Sequence, residues 1–324
     1  MTGTAVAPPR GGAAATDVAD DARPSKGKLS RERSRRSLNE TIAAYSFFGP
    51  NLVVLGMFLL LPVVWALVIS LQTTDGFGNG EFVGTENYRT LVNDSDFWRA
   101  TFNTVLFTAI IVPVSLAIGL ALAVLLNSVL PARPVLRTII IVPMVISGVA
   151  TGLMGEMVFD QNTGIVNRFL EAVGVGALSW QSEGGPAFAT VVLVTLWWRI
   201  GFNMVIYLAG LQSIGPHLYE AARIDGAGAW AQFRNITVPM LGPSTFFLLI
   251  MNVIYSLKVF DIVYVLTGGG PGNSTSVLVT YAYETGFVIR NQGYAATIGI
   301  VLLVITLLFT AAQWKLSRTR DLVE

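Results

Sequence analysis

The chain has 324 residues, of which 53% are hydrophobic and only 13% are charged, and its mean hydropathy is +0.61. Soluble domains carry about 25% charged residues, so this composition excludes an ordinary soluble domain and indicates an integral membrane protein. The net charge of +1 gives no reason to expect a nucleic-acid partner. Cysteine is absent and His217 is the single histidine, which excludes thiol chemistry and a Cys or His metal cluster.

Residues 1–40 are rich in Ala, Gly, Pro, Ser and Arg and have no apolar periodicity, which predicts a disordered tail. We expect no signal peptide, because the first apolar run begins near Ser46 and no small-residue cleavage site follows it. The tail carries eight Lys or Arg residues. Basic residues collect on the cytoplasmic side of membrane spans, so the tail is predicted to be cytoplasmic.

Six apolar runs are each long enough for a helix that crosses roughly 30 Å of hydrocarbon, which takes about 20 residues. They are Ser46–Leu71, Phe102–Leu126, Val135–Phe159, Ala187–Leu211, Pro243–Leu266 and Ala295–Leu316. Outside these runs or at the end of the last one, six further Lys or Arg residues fall on the side of the tail and four on the opposite side. The chain is therefore predicted to be an all-α membrane protein with six transmembrane helices and both termini, including residues 319–324, in the cytoplasm.

Two smaller features accompany the spans. Pro113 and Pro143 lie inside predicted spans, where we expect them to kink helices. In the predicted third outer loop, Ile165–Val173 has the pattern of a short amphipathic helix.

One polar segment, Tyr219–Pro243, interrupts the hydrophobic C-terminal half and still has folding signals. Gly215 and Pro216 precede a helical pattern, and Gly226 provides a hinge before a second one. The segment is predicted to form two short helices on the cytoplasmic side, between the fourth and fifth spans. An alanine-rich surface turn with no partner is the alternative, and it does not explain this position between two spans.

This segment resembles the EAA loop of bacterial ABC importer permeases. The matching positions are Glu220, Ala221, Ala222, Gly226, Ile236 and Pro239, with Val238 where the family has Leu. In that family the loop docks into a groove of a cytoplasmic ATPase. The resemblance implies that residues 41–318 form an ABC transporter type-I transmembrane domain. It also implies an ATPase-coupling role for Tyr219, Glu220, Ala221, Ala222, Asp225, Gly226 and Pro239.

Charged residues inside spans are energetically expensive and mark functional positions, and three of those in the predicted spans stand out. Arg199 is midway along the fourth span, and Lys258 and Asp261 are past the middle of the fifth. Lys258 and Asp261 are three residues apart and are expected to pair on one helix surface, with Arg199 able to share the carboxylate. A purely structural ion-pair cluster that locks the two helices is the alternative.

Aromatic, amide and hydroxyl side chains surround these charges. Sugars bind through stacking on aromatic rings and through hydrogen bonds to their hydroxyls, so this mixture suits a sugar. Packing alone is the alternative for each aromatic residue. The predicted substrate-binding residues are Trp197, Trp198, Arg199, Phe202, Asn203, Asn252, Tyr255, Ser256, Lys258 and Asp261.

The stretches WWRIGFNMVIYLAGLQSI and VFDIVYVLTGGGPGNST resemble those of the carbohydrate-uptake permeases, of the maltose and glycerol-3-phosphate types. The resemblance implies a multi-pass subunit of the bacterial cytoplasmic (inner) membrane that imports a sugar or oligosaccharide. The implied partners are a second permease subunit, two ATP-binding subunits, an extracytoplasmic solute-binding protein, the small-molecule solute and membrane lipid. ATP and Mg²⁺ would be held by the partner subunits, with no cofactor on this chain.

Other functions remain open on the residues alone. Arg199 and Lys258 would suit an anionic solute such as glycerol 3-phosphate or a glycerophosphodiester, whereas the Trp pair and Asn252 favour a neutral sugar. A membrane channel or scaffold without ATP coupling is a further alternative. An enzyme is not expected, because no nucleophile with a base and no carboxylate pair is found in the sequence.

Overall fold

The computed structural model describes residues 45–75, 80–128 and 131–318. The predicted tails, 1–40 and 319–324, lie outside the described residues. The chain divides into two units, Met1–Pro62 and Val63–Glu324. In the first unit the described residues 45–62 are helical, with a π-helical turn at Gly56–Leu60, and large apolar side chains such as Phe47 are exposed.

Four helices of the described residues are long and apolar enough to cross a membrane. They are α1 (Tyr45–Ser70), α3 (Ser95–Asn127), α7 (Gly184–Ser213) and α13 (Gln292–Arg318). Two bent pairs pass the same test together: α4 (Arg133–Val145) with α5 (Gly148–Val158), and α9 (Ala229–Met240) with α10 (Gly242–Leu257). The protein is therefore all-α in its membrane part, with four to six candidate spans.

Shorter elements connect these helices. They are β1 (Gln72–Thr73), β2 (Glu81–Phe82), α2 (Glu86–Asn93), α6 (Ile165–Ala172), α8 (Pro216–Ile224), α11 (Asp261–Thr267) and α12 (Leu278–Tyr283). The strands β1 and β2 pair antiparallel, with Gln72 opposite Phe82. The helix α6 confirms the amphipathic helix predicted in this loop.

The predicted third span, Val135–Phe159, is one of the bent pairs and is broken more sharply than the kink expected at Pro143. The helices α4 and α5 meet at an angle of 104°. Ile146 and Ser147 are extended, and the Ser147 hydroxyl accepts a hydrogen bond from the Ala150 N–H at 3.2 Å, which caps α5. A serine at this position satisfies a free N–H at the start of a helix, so the chain can restart after the bend.

The predicted fifth span, Pro243–Leu266, is also broken. The helix α10 ends at Leu257, Lys258 and Phe260 leave the helical conformation, and α11 starts at Asp261. Lys258 and Asp261 therefore lie on opposite sides of a break and share no helix surface.

The buried contacts give the directions of the long helices in the second unit. The first half of α3 packs on the first half of α7 through Phe107 and Val191, and their second halves pack through Leu126 and Met204. The two helices therefore run parallel, and the chain between them, α4 and α5, must return to the starting end. The start of α13 packs on the start of α3, with Ile298 in that cluster, so α10 and α11 make a second return. This arrangement supports one crossing for each broken segment.

An acidic residue ties together the end at which α3 and α13 begin. The Asp94 carboxylate accepts hydrogen bonds from the hydroxyls of Tyr281 and Tyr294, both at 2.5 Å, and from the Asp96 N–H at the start of α3. Partial burial acts to raise the pKa of Asp94, but these hydrogen bonds hold it below its ordinary value.

Candidate functional site

A buried polar cluster lies between α7 and α10. The Arg199 Nε donates to Asn252 Oδ1 at 3.2 Å, and Asn252 Nδ2 donates to Asn203 Oδ1 at 2.8 Å and to the Leu248 carbonyl at 2.7 Å. Arg199 is 8% exposed, and Asn203 and Asn252 are fully buried. Because three hydrogen bonds fix the Asn252 amide, its orientation is defined by the network. We call Arg199, Asn203 and Asn252 the polar cluster.

Helical spacing and a glycine bring the polar cluster together. Arg199 and Asn203 are one turn apart and share a face of α7. A Cβ at Gly119 of α3 would lie 2.6 Å from the Asn203 Cβ, so only glycine allows α3 to pack this closely on that face. Asn203 of α7 therefore lies between α3 and α10.

Aromatic rings surround the charge of the polar cluster. The guanidinium carbon of Arg199 lies 4.6 Å from the ring centroid of Tyr255, 4.7 Å from that of Phe202 and 5.9 Å from that of Trp198. Cation–π contacts of this kind stabilise a cation in a poorly hydrated place. The Trp198 ring lies 5.4 Å from the Tyr255 ring, and its Nε1 donates to the Ile146 carbonyl at 2.9 Å. The Ile146 carbonyl lies at the break between α4 and α5, so this hydrogen bond connects the break to Trp198 and, through Trp198, to the polar cluster.

Two polar atoms of the cluster have no hydrogen-bond partner. Among the buried side-chain atoms of residues 45–75, 80–128 and 131–318, Arg199 Nη2 and Asn203 Nδ2 are without one. Both atoms are nitrogens that can only donate hydrogen bonds. The oxygen of Asn203 already accepts one from Asn252. The cluster therefore offers hydrogen-bond donors and a positive charge.

Four predicted substrate-binding residues do not present their side chains to the polar cluster. Trp197 is 46% exposed, because neighbouring residues of a helix point in directions about 100° apart. Ser256 is buried, and its hydroxyl donates back to the Asn252 carbonyl of its own helix at 2.8 Å. Lys258 and Asp261 are exposed at the break. Of the ten predicted positions, Trp198, Arg199, Phe202, Asn203, Asn252 and Tyr255 are brought together.

The expected ion pairs of Asp261 do not form in the described part of the chain. The Asp261 side chain lies against Gly148, where a Cβ would come within 2.9 Å of its Oδ2. Arg199 instead contacts Asn252 and the aromatic rings. The carboxylate therefore faces the start of α5, where the positive end of a helix dipole favours a negative charge.

A second aromatic group, which was not among the predicted site residues, follows the break between α10 and α11. Ring centroids lie 5.1 Å apart for Phe260 and Tyr264, 5.1 Å for Tyr264 and Tyr283, and 5.2 Å for Tyr283 and Phe287. Tyr264 is 44% exposed and Phe287 69% exposed. The aromatic residues at 260, 264, 283 and 287 are visible in the sequence, but only the fold of α11 and α12 brings them together.

The polar loop between α7 and α10 contains α8 and α9, with a π-helical turn at Phe233–Thr237. Gly226 has a φ of +79°, a conformation that favours glycine, and it lies between the two helices. The Tyr219 hydroxyl is 3.0 Å from the Thr237 hydroxyl, which links the two helices directly.

The surface of this loop is partly apolar. Glu220, Ala221, Asp225, Gly226 and Pro239 are exposed, and Tyr219 and Ala222 are half-buried. Ile224 is 87% exposed and Trp230 is 71% exposed, with the Trp230 ring stacked on Phe233 at 5.5 Å. Ile224 and Trp230 were not among the predicted coupling residues, although large apolar residues in an exposed polar loop are a signal for a binding surface.

No metal site is found within the described ranges. There, no group of three or more His, Asp and Glu side chains could hold a metal ion.

Comparisons with known proteins identify the chain's family. The sequence pattern of the family described as "Binding-protein-dependent transport system inner membrane component" matches residues 115–320. The chain is 35% identical to the sulfoquinovosyl glycerol transport system permease protein of Agrobacterium fabrum, over 88% of this chain and 93% of that one. It is 35% identical to the trehalose/maltose transport system permease protein of Thermococcus litoralis, over 89% and 97%.

A third relative is the sn-glycerol-3-phosphate transport system permease protein of Yersinia pestis, 33% identical over 84% of this chain and 92% of that one. Among solved structures, a bacterial ABC transporter involved in the import of the acidic polysaccharide alginate superposes with a TM-score of 0.77. Its sequence identity is 25%, and the match covers 89% of this chain and 99% of that chain. The chain therefore belongs to the family of binding-protein-dependent transport system inner membrane components.

Proposed function

We propose that this chain is one of two permease subunits of an ATP-driven importer in the bacterial cytoplasmic membrane, and that its solute is a sugar or oligosaccharide. The observation that carries the proposal is the polar cluster, which sits on α7 and α10, the two helices that flank the loop resembling an ATPase-coupling loop. Relatives named for trehalose/maltose and for sulfoquinovosyl glycerol transport support a sugar as the solute.

The chemistry of the polar cluster fits a sugar. A pyranose presents an apolar C–H face and a rim of hydroxyl groups. Trp198, Phe202 and Tyr255 supply flat rings beside the cluster, and Arg199 Nη2 and Asn203 Nδ2 supply donors for oxygen atoms. The further aromatic group at Phe260, Tyr264, Tyr283 and Phe287 would provide stacking surface for additional rings of an oligosaccharide.

The loop of α8 and α9 would couple this site to ATP. Its exposed Ile224 and Trp230 offer apolar contacts for a groove in an ATP-binding subunit, and Glu220 and Asp225 offer charges at the rim. The helix α7 runs without interruption from Arg199 to Ser213, a distance of roughly 21 Å at 1.5 Å per residue. A movement of the loop would therefore reach the polar cluster through a rigid helix.

The assembly that follows has a second permease subunit, two ATP-binding subunits that hold ATP and Mg²⁺, and a solute-binding protein on the outer side. Closure of the ATP-binding subunits would pull the loops and open the permease pair outward, and hydrolysis would return it to the inward-open state. Both termini and the loop of α8 and α9 would face the cytoplasm. Family membership as a binding-protein-dependent component supports the binding-protein partner.

The test is ATP-driven uptake by the complete complex in lipid vesicles, with its solute-binding protein and a panel of neutral and acidic sugars. We expect uptake that needs ATP, and ATPase activity that solute and binding protein stimulate together. Glu220→Arg and Gly226→Pro should abolish both activities while the chain stays in the membrane, because one reverses a charge and the other cannot adopt a φ of +79°. Uptake that persists without ATP would instead favour the channel function.

Matched substitutions sharpen the test of coupling. Ile224→Asp and Trp230→Asp should release the ATP-binding subunits in pull-down measurements. Ile165→Asp, which changes a comparably exposed isoleucine on α6, should leave their binding unchanged. Equal binding by all three variants would contradict the assigned surface.

A further inference from the structure

The charge of Arg199 has no counter-ion within the part of the chain that the structure describes. Arg199 is 8% exposed and lies near the middle of the candidate span α7, and its guanidinium is held by one amide oxygen and three aromatic rings. An arginine keeps its charge in proteins, and a buried charge without an opposite charge is strongly unfavourable. A purely structural role for Arg199 at this buried position would therefore require an acidic partner, which the described residues do not supply.

The acidic residue that the sequence suggested as a structural partner of Arg199 is placed elsewhere. Asp261, whose carboxylate Arg199 was expected to share, lies against Gly148 at the start of α5. Lys258, the other basic residue of this region, is exposed beyond the end of α10. The positive charge of the polar cluster thus comes from Arg199 alone among the residues that form it.

The second free donor lies one turn further along the same helix. Asn203 is fully buried, and its Nδ2 has no partner while its Oδ1 accepts from Asn252. Residues four apart on a helix are separated by about 6 Å along its axis, which is comparable to the width of a sugar ring. The hydroxyl groups of a neutral sugar both donate and accept hydrogen bonds, so binding them would not require a charged side chain at this position. An oxyanion only accepts hydrogen bonds, and it therefore matches the cationic donor of Arg199 and the amide donor of Asn203.

We infer that the solute carries an oxyanion, a carboxylate, sulfonate or phosphate group on a sugar or glycerol, and that Arg199 Nη2 and Asn203 Nδ2 bind this group. The inference rests on the proposed function and narrows its substrate class. The aromatic rings around Arg199 would then pack against the apolar face of the solute, while the anion balances the buried charge.

The experiment uses matched pairs of neutral and acidic probes with the complete complex in vesicles: glucose with glucuronate, glucose with its 6-sulfonate, glycerol with glycerol 3-phosphate, and neutral with uronic-acid disaccharides. We expect an acidic member to drive uptake and ATPase stimulation. Arg199→Gln should weaken its apparent affinity by roughly 10-fold or more, the size of a lost hydrogen bond to a charged group. Arg199→Lys should retain part of it, because the charge remains.

Two further variants separate recognition from folding. Arg168→Gln removes the same charge from the exposed face of α6 and should leave uptake within about twofold of the original protein. Asn203→Asp places a carboxylate beside Arg199 and should abolish uptake of the acidic probe, while the assembled complex remains as stable to heat as the original.

The opposite results are distinguishable. Uptake of neutral probes alone, unchanged by Arg199→Gln, would overturn the oxyanion and leave the sugar importer intact. A carboxylate of the second permease subunit within 4 Å of Arg199 in the assembled complex would also overturn it. Absence of ATP-driven uptake for every probe would reject the proposed function together with this inference.

Discussion

Asn252 is the centre of the polar cluster, and replacing it with the similarly sized Leu tests whether the cluster organises the site. Asn252→Leu removes the acceptor for Arg199 Nε and the donor for Asn203 Oδ1. Each buried group left without a partner costs about 1–3 kcal/mol, with the charged group at the upper end. The measured contribution of a hydrogen bond between membrane helices to stability is lower, near 0.6 kcal/mol on average. We therefore expect Asn252→Leu to lower the free energy of unfolding by about 2–4 kcal/mol.

The assay is thermal unfolding of the assembled complex, together with uptake in vesicles. For a chain of 324 residues, a loss of this size lowers the melting temperature by roughly 3–6 °C. Uptake should also fall, because Arg199 loses its fixed position. Ser256→Ala is the matched control, since Ser256 is equally buried on the same face of α10 but bonds only to carbonyls of its own helix. Equal melting temperatures and equal uptake for the two variants would refute the role given to the polar cluster.

Three further predictions concern other positions. Gly119→Ala should destabilise the complex by about 1–3 kcal/mol in thermal unfolding, because its Cβ would lie 2.6 Å from the Asn203 Cβ, whereas Gly299→Ala meets nothing within 4 Å and should be neutral or stabilising. Because the pKa of Asp94 is lowered in the folded protein, its contribution to stability is complete above the unfolded pKa of about 3.9 and is lost as the pH falls through the folded pKa. Asp94→Asn should therefore make the melting temperature fall less steeply as the pH is lowered through this range. An unchanged fall at acid pH would count against the hydrogen bonds of Asp94. Trp198→Phe keeps a ring but loses the hydrogen bond to the carbonyl at the α4–α5 break, so the maximal uptake rate should fall more than the apparent affinity, and a change in affinity alone would argue against a link to the bend.

Much of the architecture follows from the sequence for simple physical reasons. Apolar runs of about 20 residues must cross the hydrocarbon as helices, since no other backbone arrangement of a single segment satisfies its hydrogen bonds there. The glycines and prolines around Glu220 predicted two short helices, and α8 and α9 are found in that place. The sequence also predicted Arg199, Asn203, Asn252 and Tyr255 as site residues, and the structure brings these four together.

The two helix breaks could be decided only by the tertiary structure. An apolar run has the same hydropathy whether its helix is straight or bent, and the hydrogen bonds lost at Ile146 and Phe260 are offset by contacts from other helices, such as that of Trp198 with the Ile146 carbonyl. These contacts come from residues about 50 positions away in the chain, and no local pattern encodes them.

The sequence by itself determined that Arg199 lies within a span and is surrounded by aromatic and amide residues. Only the tertiary structure decided that Trp198 faces the cluster while Trp197 faces away, because α7 is apolar on all sides and its pattern does not show which side is buried. The partners of Arg199 were also decided by the tertiary structure. The sequence shows its charge, but Arg199 contacts Asn252 and not Asp261 because the fifth span breaks before Asp261 and the start of α5 lies against the Asp261 side chain.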